Sequence, residues 1–137
     1  MKVCSSNHKH DHLQPHTHNH QVVHLILGEA AGCSQIPLLL SGKPAPSDTE
    51  LGSKNYSQIP VAVITGAAYS ADAVDAMMKA VSKRSDAKRV PWLRADTSKP
   101  APPLGPEYGK AMVQRTKECL GGLAGTDAMG EMRVHFF

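Results

Sequence analysis

Residues 59–96 constrain the fold more than any other part of the chain. They open on IPVAVITG (59–66), a largely apolar run closed by Gly66. Such a run fits a strand buried on both faces, as in a parallel sheet. AYSADAVDAMMKAVSK (68–83) follows, with Val74, Met77, Met78 and Val81 at three- and four-residue spacing, which predicts a helix with one apolar face. Ser70 suits the N-cap, and the charge of Asp72 in the first turn suits the helix dipole. KRVPWLRAD (88–96) then resumes as a short strand, with Pro91 pointing to an edge position or a bulge. Strand, helix and strand of these lengths make one βαβ unit, which requires a parallel sheet and a right-handed crossover.

The flanks extend this unit in both directions. QVVHLIL (21–27) is short, β-branched and apolar, and reads as a strand. GEAAGCSQIPLLLSG (28–42) predicts a short helix interrupted by Gly32 and Pro37. KPAPSDTELGSKNYSQ (43–58) is a loop by composition and longer than most connections, so it is read as functional or mobile. TSKPAPPLGPEYG (97–109) holds four prolines and must be extended before Gly105, with Pro106 placed as a first helical residue. The helix that follows is expected to bury Met112, Val113, Thr116, Cys119 and Leu120, and Gly121 and Gly122 stop it. RVHFF (133–137) is placed to add an edge strand to an otherwise loose tail.

The fold class expected is α/β: a small three-layer, Rossmann-like parallel sheet of three to four strands, incomplete where a further strand would normally stand. A single domain spans 21–122. It is preceded by a disordered His-rich tail at 1–20 and followed by a loosely ordered stretch at 123–137.

Composition narrows the function classes. At 137 residues the chain holds one ordinary domain at most. One Trp, three Tyr and two Phe leave the core to aliphatic side chains. The formal net charge is only +3, and the one basic cluster, Lys83, Arg84, Lys88 and Arg89, is interrupted by Asp86 and has no interleaved aromatics. That pattern describes a solvated helix end better than a nucleic-acid groove, so no nucleic-acid partner is expected. Cys4, Cys33 and Cys119 are odd in number and scattered, which argues against a disulfide framework. There is no run of about 18 apolar residues to span a membrane. The first 20 residues lack the apolar core of a secretory signal. The expectation is a cytoplasmic protein with reduced thiols and no membrane partner.

In open α/β sheets, ligands bind beyond the carboxyl ends of the strands. Here those ends are 65–70, a turn leading into a helix N-terminus able to hold an anion, and 94–98, where Asp96 is placed to accept hydrogen bonds from a ribose. Residues 59–96 resemble the first βαβ unit of Rossmann-like oxidoreductases, over about a quarter of the chain. TGAAYSAD keeps Thr65 and Gly66 of the TGxxxGxG pattern of short-chain dehydrogenases, with Ser70 and Asp72 where that pattern has glycine. No Tyr-x-x-x-Lys pair follows. The resemblance implies an NAD(P) pocket among Gly66, Tyr69, Ser70, Arg94 and Asp96, with Tyr69 the nearest proton donor and no complete catalytic site. The plainer alternative is that Gly66 permits a tight turn and Asp96 caps the proline-rich loop.

SGKP (41–44) lacks both the first glycine and the final Ser or Thr of a phosphate loop. Trp92 is read either as a core residue or as an apolar wall beside an anion-facing Arg94. Cys33 and Cys119 have no neighbouring histidine, and Ser34 and Ser70 have no GxSxG elbow, so no catalytic residue is assigned. His8, His10, His12, His16, His18 and His20 alternate as HxHxH twice, dense enough in imidazole to hold Zn²⁺, Ni²⁺ or Cu²⁺ without a folded site. His24 belongs instead with QVVHLIL.

The segment VPWLRADTSKPAPPLGPEYGKAMVQRTKECL is similar to small uncharacterised fungal α/β proteins, a resemblance that implies no site residues. Three functions are carried forward. They are a reduced or non-catalytic relative of NAD(P)-dependent oxidoreductases, a divalent-metal-binding protein acting through the His tract, and a protein-interaction module using the extended proline segment 97–106.

Overall fold

A computed structural model describes residues 1–7 and 19–137. Its strands are β1 (Lys2–Asn7), β2 (Asn19–Leu25), β3 (Ala62–Thr65), β4 (Trp92–Arg94) and β5 (Val134–Phe136). Its helices are α1 (Glu29–Leu40), α2 (Ala71–Ser82) and α3 (Pro106–Leu123), with a 3-10 turn at Asp127–Gly130 before β5. The strands form one sheet in the order β2-β1-β3-β4-β5. β1 is antiparallel to both of its neighbours, whereas β3, β4 and β5 run parallel.

Two expectations are corrected by this sheet. It has five strands among the described residues, not three to four, and it is mixed rather than purely parallel. The additional strand is β1, which lies inside the segment read as a tail; residues 8–18 of that segment lie outside the described residues. KVCSSN carries little apolar pattern of its own. It is held as a strand because β2 and β3 satisfy its backbone from both sides, a tertiary effect that outweighs local propensity.

Alternation along the strands assigns the two faces. Val3, Val63 and Trp92 lie on one, covered by Ile36, Leu39 and Leu40 of α1 and by Val74, Met77 and Val81 of α2. Cys4, Ala62, Ile64 and Leu93 lie on the other, where Leu120 of α3 meets them. The architecture is therefore three-layered. α1 and α2 pack on each other near Gly32, where an added Cβ would stand 2.3 Å from Met77 Sδ. α1 runs through Pro37 without interruption, because the proline falls in its last turn and few helical bonds follow it. Ser70 caps α2 as its sequence suggests, accepting from the Ala73 N–H at 3.1 Å.

All three crossovers carry the chain the same way across the sheet, from β2 past β1 to β3, then to β4, then to β5. Since α1 and α2 cover one face and α3 the other, the β4–α3–β5 crossover has the opposite hand to the two before it. Parallel crossovers are almost always right-handed, so mixed hands within one small sheet are unusual. Long connections, 95–105 before α3 and 124–133 after it, make the route sterically open. α3 is seated lightly. Of its 18 residues only Leu120 is buried. Met112, Thr116 and Cys119 are half-buried, and Val113, expected on the buried side, is exposed.

The loop 43–58 lies along the outer edge of β2. The N–H groups of Ser53 and Lys54 donate to the carbonyls of Val22 and Val23, each at 2.9 Å. Gly52 (φ +96°) comes so close that a Cβ would stand 2.5 Å from Val23 O. The loop thus covers backbone groups that an open edge would present to other chains. At the opposite edge RVHFF forms the expected strand, and Phe137 extends the pairing, donating to Arg94 O at 3.0 Å. No helix among the described residues is long and apolar enough to cross a membrane.

Candidate functional site

Gly66, Tyr69, Ser70, Arg94 and Asp96 all fall near the carboxyl ends of β3 and β4, and all five have partners within the fold; the Gly66 carbonyl accepts from the Tyr69 N–H at 3.2 Å, closing the turn. The Tyr69 hydroxyl accepts from Gly28 N–H at 3.0 Å and faces Ile26 O at 3.4 Å, joining this turn to the start of α1. Arg94 donates through Nη2 to the Tyr69 carbonyl at 3.0 Å, and its guanidinium carbon stands 5.7 Å from the Phe136 ring centroid. Ser70 is occupied as the α2 cap. Asp96 Oδ1 accepts from the Ser98 hydroxyl at 2.6 Å and the Ser98 N–H at 3.0 Å. Those two bonds hold the Asp96 carboxyl below its usual range. Trp92 is a core residue, fully buried beneath α1 and α2.

Gly66 alone of the five lines a cavity. It has a volume of about 380 Å³ and lies between α3 and the sheet. Cys4, Val22 and Ile64 form its floor, and Tyr108, Met112, Thr116 and Leu120 its roof. The turn after β3 adds Thr65, Gly66 and Ala67. The space exists because α3 is anchored mainly through Leu120, while its preceding turns stand above small side chains such as Cys4 and Ala62. Three basic side chains join the lining: Lys2 of β1, His20 of β2 and Lys117 of α3. No carboxylate side chain lines it among the described residues. Burial pushes the Cys4 thiol up to about 11 against the opposing charge of Lys2, so the thiol in the cavity floor is neutral near pH 7.

Most of these lining residues escape sequence reasoning. Lys2 and Cys4 belong to a segment read as a tail, and Met112 and Thr116 read as ordinary core. The available signal was slight: the apolar pair Val3–Cys4 ahead of the histidines, whose two side chains point to opposite faces of the sheet.

A second buried polar cluster lies under the other face. His24 is fully buried, with Nδ1 2.8 Å from the Tyr56 hydroxyl and Nε2 2.9 Å from Gln35 Oε1. An amide oxygen only accepts, so Nε2 carries a ring proton, and in the neutral ring Nδ1 is then the acceptor of the Tyr56 hydroxyl. Both ring nitrogens are therefore engaged. Of the six histidines proposed as metal ligands, His8, His10, His12, His16 and His18 lie outside the described residues, and His20 is on β2. Among the described residues, no group of three His, Cys, Asp or Glu side chains is arranged to hold a metal ion.

No family model matches the chain, and no solved structure matches it. Among curated proteins, Kojic acid related protein 6 of Aspergillus oryzae is 34% identical over 128 residues. The aligned part covers 92% of this chain and 75% of that protein. The similarity therefore takes in both faces of the sheet and all three helices, not one motif. The chain belongs to the family of Kojic acid related protein 6.

Proposed function

We propose that the protein binds a small molecule in the cavity between α3 and the sheet. The carrying observation is the cavity itself. Its volume of about 380 Å³ falls within the span of small-molecule sites, and its walls are mainly apolar with a few polar groups. It opens by Gly66 at the carboxyl end of β3, where ligands of open α/β sheets collect. The reading is one of binding without turnover. Cys4 is the thiol in the wall, and a thiol with its pKa raised to about 11 is a poor nucleophile at neutral pH.

Thermal unfolding of the full chain with kojic acid, with NADPH and with small apolar acids tests this reading. Kojic acid is included because the Aspergillus oryzae relative is named for it. A ligand that binds should raise the midpoint in the natural chain and not in Thr116→Trp, whose indole fills the cavity. No shift with any of them sinks the cavity reading. The nucleotide reading, a reduced relative of NAD(P)-dependent enzymes, is favoured instead if NADPH stabilises the chain and Arg94→Ala and Asp96→Ala abolish the effect.

A second reading, metal binding through the His tract, is supported by the pairing of Asn7 with Asn19. That pairing brings together the two described residues that flank 8–18, the stretch of sequence that holds five of the six histidines. Calorimetric titration with Zn²⁺, Ni²⁺ and Cu²⁺ should show binding that vanishes when His8, His10, His12, His16 and His18 are replaced by serine. The exposed proline segment 97–106 remains the candidate for docking on an aromatic groove. A pull-down with that segment replaced by a Gly/Ser linker tests it.

A further inference from the structure

We infer that the ligand of this cavity is an apolar molecule with a single anionic head, the size of a medium-chain carboxylic acid. The inference rests on the cavity being a binding site and goes further by fixing the charge and polarity of what it takes.

The charge pattern carries it. Lys2 approaches from the sheet and Lys117 from the helix, while no carboxylate side chain faces them in the lining among the described residues. Neither lysine is held in an ion pair among the described residues. The six ion pairs of the described residues use Lys43, Lys54, Lys79, Arg84, Lys110 and Arg133. Two cations beside an apolar space raise the local potential for an anion, and the low-polarity walls strengthen that attraction. Lys2 pairs in register with Ile64, itself a lining residue, so the two side chains leave the sheet on the cavity face.

The apolar part follows from the walls. Val22, Ile64, Met112 and Leu120 offer carbon surface from both layers, and Met112 can adapt its shape to a chain or a ring. The neutral Cys4 thiol adds no competing negative charge. A polyanion such as a nucleotide phosphate would leave charge against these side chains, and an uncharged hydrocarbon would leave the lysines unused. A carboxylate on an apolar body of about ten carbons matches both features, and it suits a cavity near the small end of the usual range.

Displacement of the fluorescent sulfonate 8-anilinonaphthalene-1-sulfonate from the full chain tests the inference, with decanoate, decanol and decylamine as competitors below their micellar concentrations. Decanoate should displace the probe at a concentration at least tenfold lower than decanol, the return of one charge-assisted contact. Lys2→Gln with Lys117→Gln should erase that preference, and Lys2→Glu with Lys117→Glu should shift it to decylamine. If decanoate and decanol compete equally and the lysine variants change nothing, the anionic class is overturned while the cavity reading stands. If Thr116→Trp leaves probe binding unchanged, the cavity reading itself falls. Far-UV circular dichroism on each variant confirms that the fold is intact, and the glutamine pair carries the test if the glutamate pair does not fold.

Discussion

Tyr56 and His24 meet hydroxyl to Nδ1 at 2.8 Å, and that bond fastens a long surface loop to a side chain buried in the core. The tyrosine is half-buried and the histidine wholly so, which makes the pair a one-sided dependence. Without the hydroxyl, Nδ1 would be left in the core with no donor.

Tyr56→Phe should therefore destabilise the protein by about 1–3 kcal/mol, the cost of orphaning a buried acceptor. Denaturant titration measures the loss. Limited proteolysis should show faster cleavage within 43–58, because the loop also loses a tether to β2. Equal stability and unchanged cleavage would show that the loop's backbone bonds alone hold it.

Gly52→Ala should be worse than its chemistry suggests. The residue has φ +96° and its new Cβ would meet backbone, Val23 O at 2.5 Å, which cannot swing aside. Gly125 has φ +76° but open space around it, so Gly125→Ala isolates the conformational strain alone, about 1 kcal/mol. Thermal unfolding should place Gly52→Ala clearly below Gly125→Ala, by several degrees.

Leu120→Ala should cost about 2–4 kcal/mol, since Leu120 is the buried anchor of α3 and leaves a void when truncated. Val113→Ala, two turns earlier on the same face but 46% exposed beside the cavity, should change stability by less than about 0.5 kcal/mol. Comparable losses at the two positions would mean that α3 is seated along its whole length.

Stability should fall at alkaline pH through Cys4. Its thiol is raised to about 11 in the folded chain, chiefly by burial, against a reference of 9.0. Above pH 9 the unfolded chain releases this proton while the folded chain keeps it, so the unfolded state is favoured increasingly until about pH 11. Up to about 2–3 kcal/mol is at stake, and Cys4→Ala should flatten that part of the curve. At pH 8, alkylation should reach the half-buried Cys33 before Cys4.

The parts legible in the sequence were those whose structure is decided locally. β3, α2 and β4 follow from an apolar run, a periodic face and the Ser70 cap, and each survives in the fold with trimmed ends. β1 was not legible because Lys2–Asn7 is a strand only by virtue of its two partners. The covering role of 43–58 rests on main-chain donors of Ser53 and Lys54, which no side-chain pattern encodes. α3 shows the same limit from the other side. Met112 and Thr116 have the spacing of core residues, yet the helix stands off the sheet, and spacing alone does not separate a filled interior from a hollow one. Gly66 was found for its turn and joins the cavity. Lys2, Cys4 and Lys117 were missed, since they come together only when β1 enters the middle of the sheet.

The last crossover, with its reversed hand, also ties the cavity to the completion of the fold. β5 joins β4 across residues 95–133, a long closure that local contacts do little to guide. The β3–α2–β4 unit closes over the shorter stretch 66–91, and α1 and α2 cover a face that α3 does not touch. The cavity is complete only when α3 is seated on the sheet. A molecule held there would bind the finished protein and not its precursor, and would draw folding to completion by mass action.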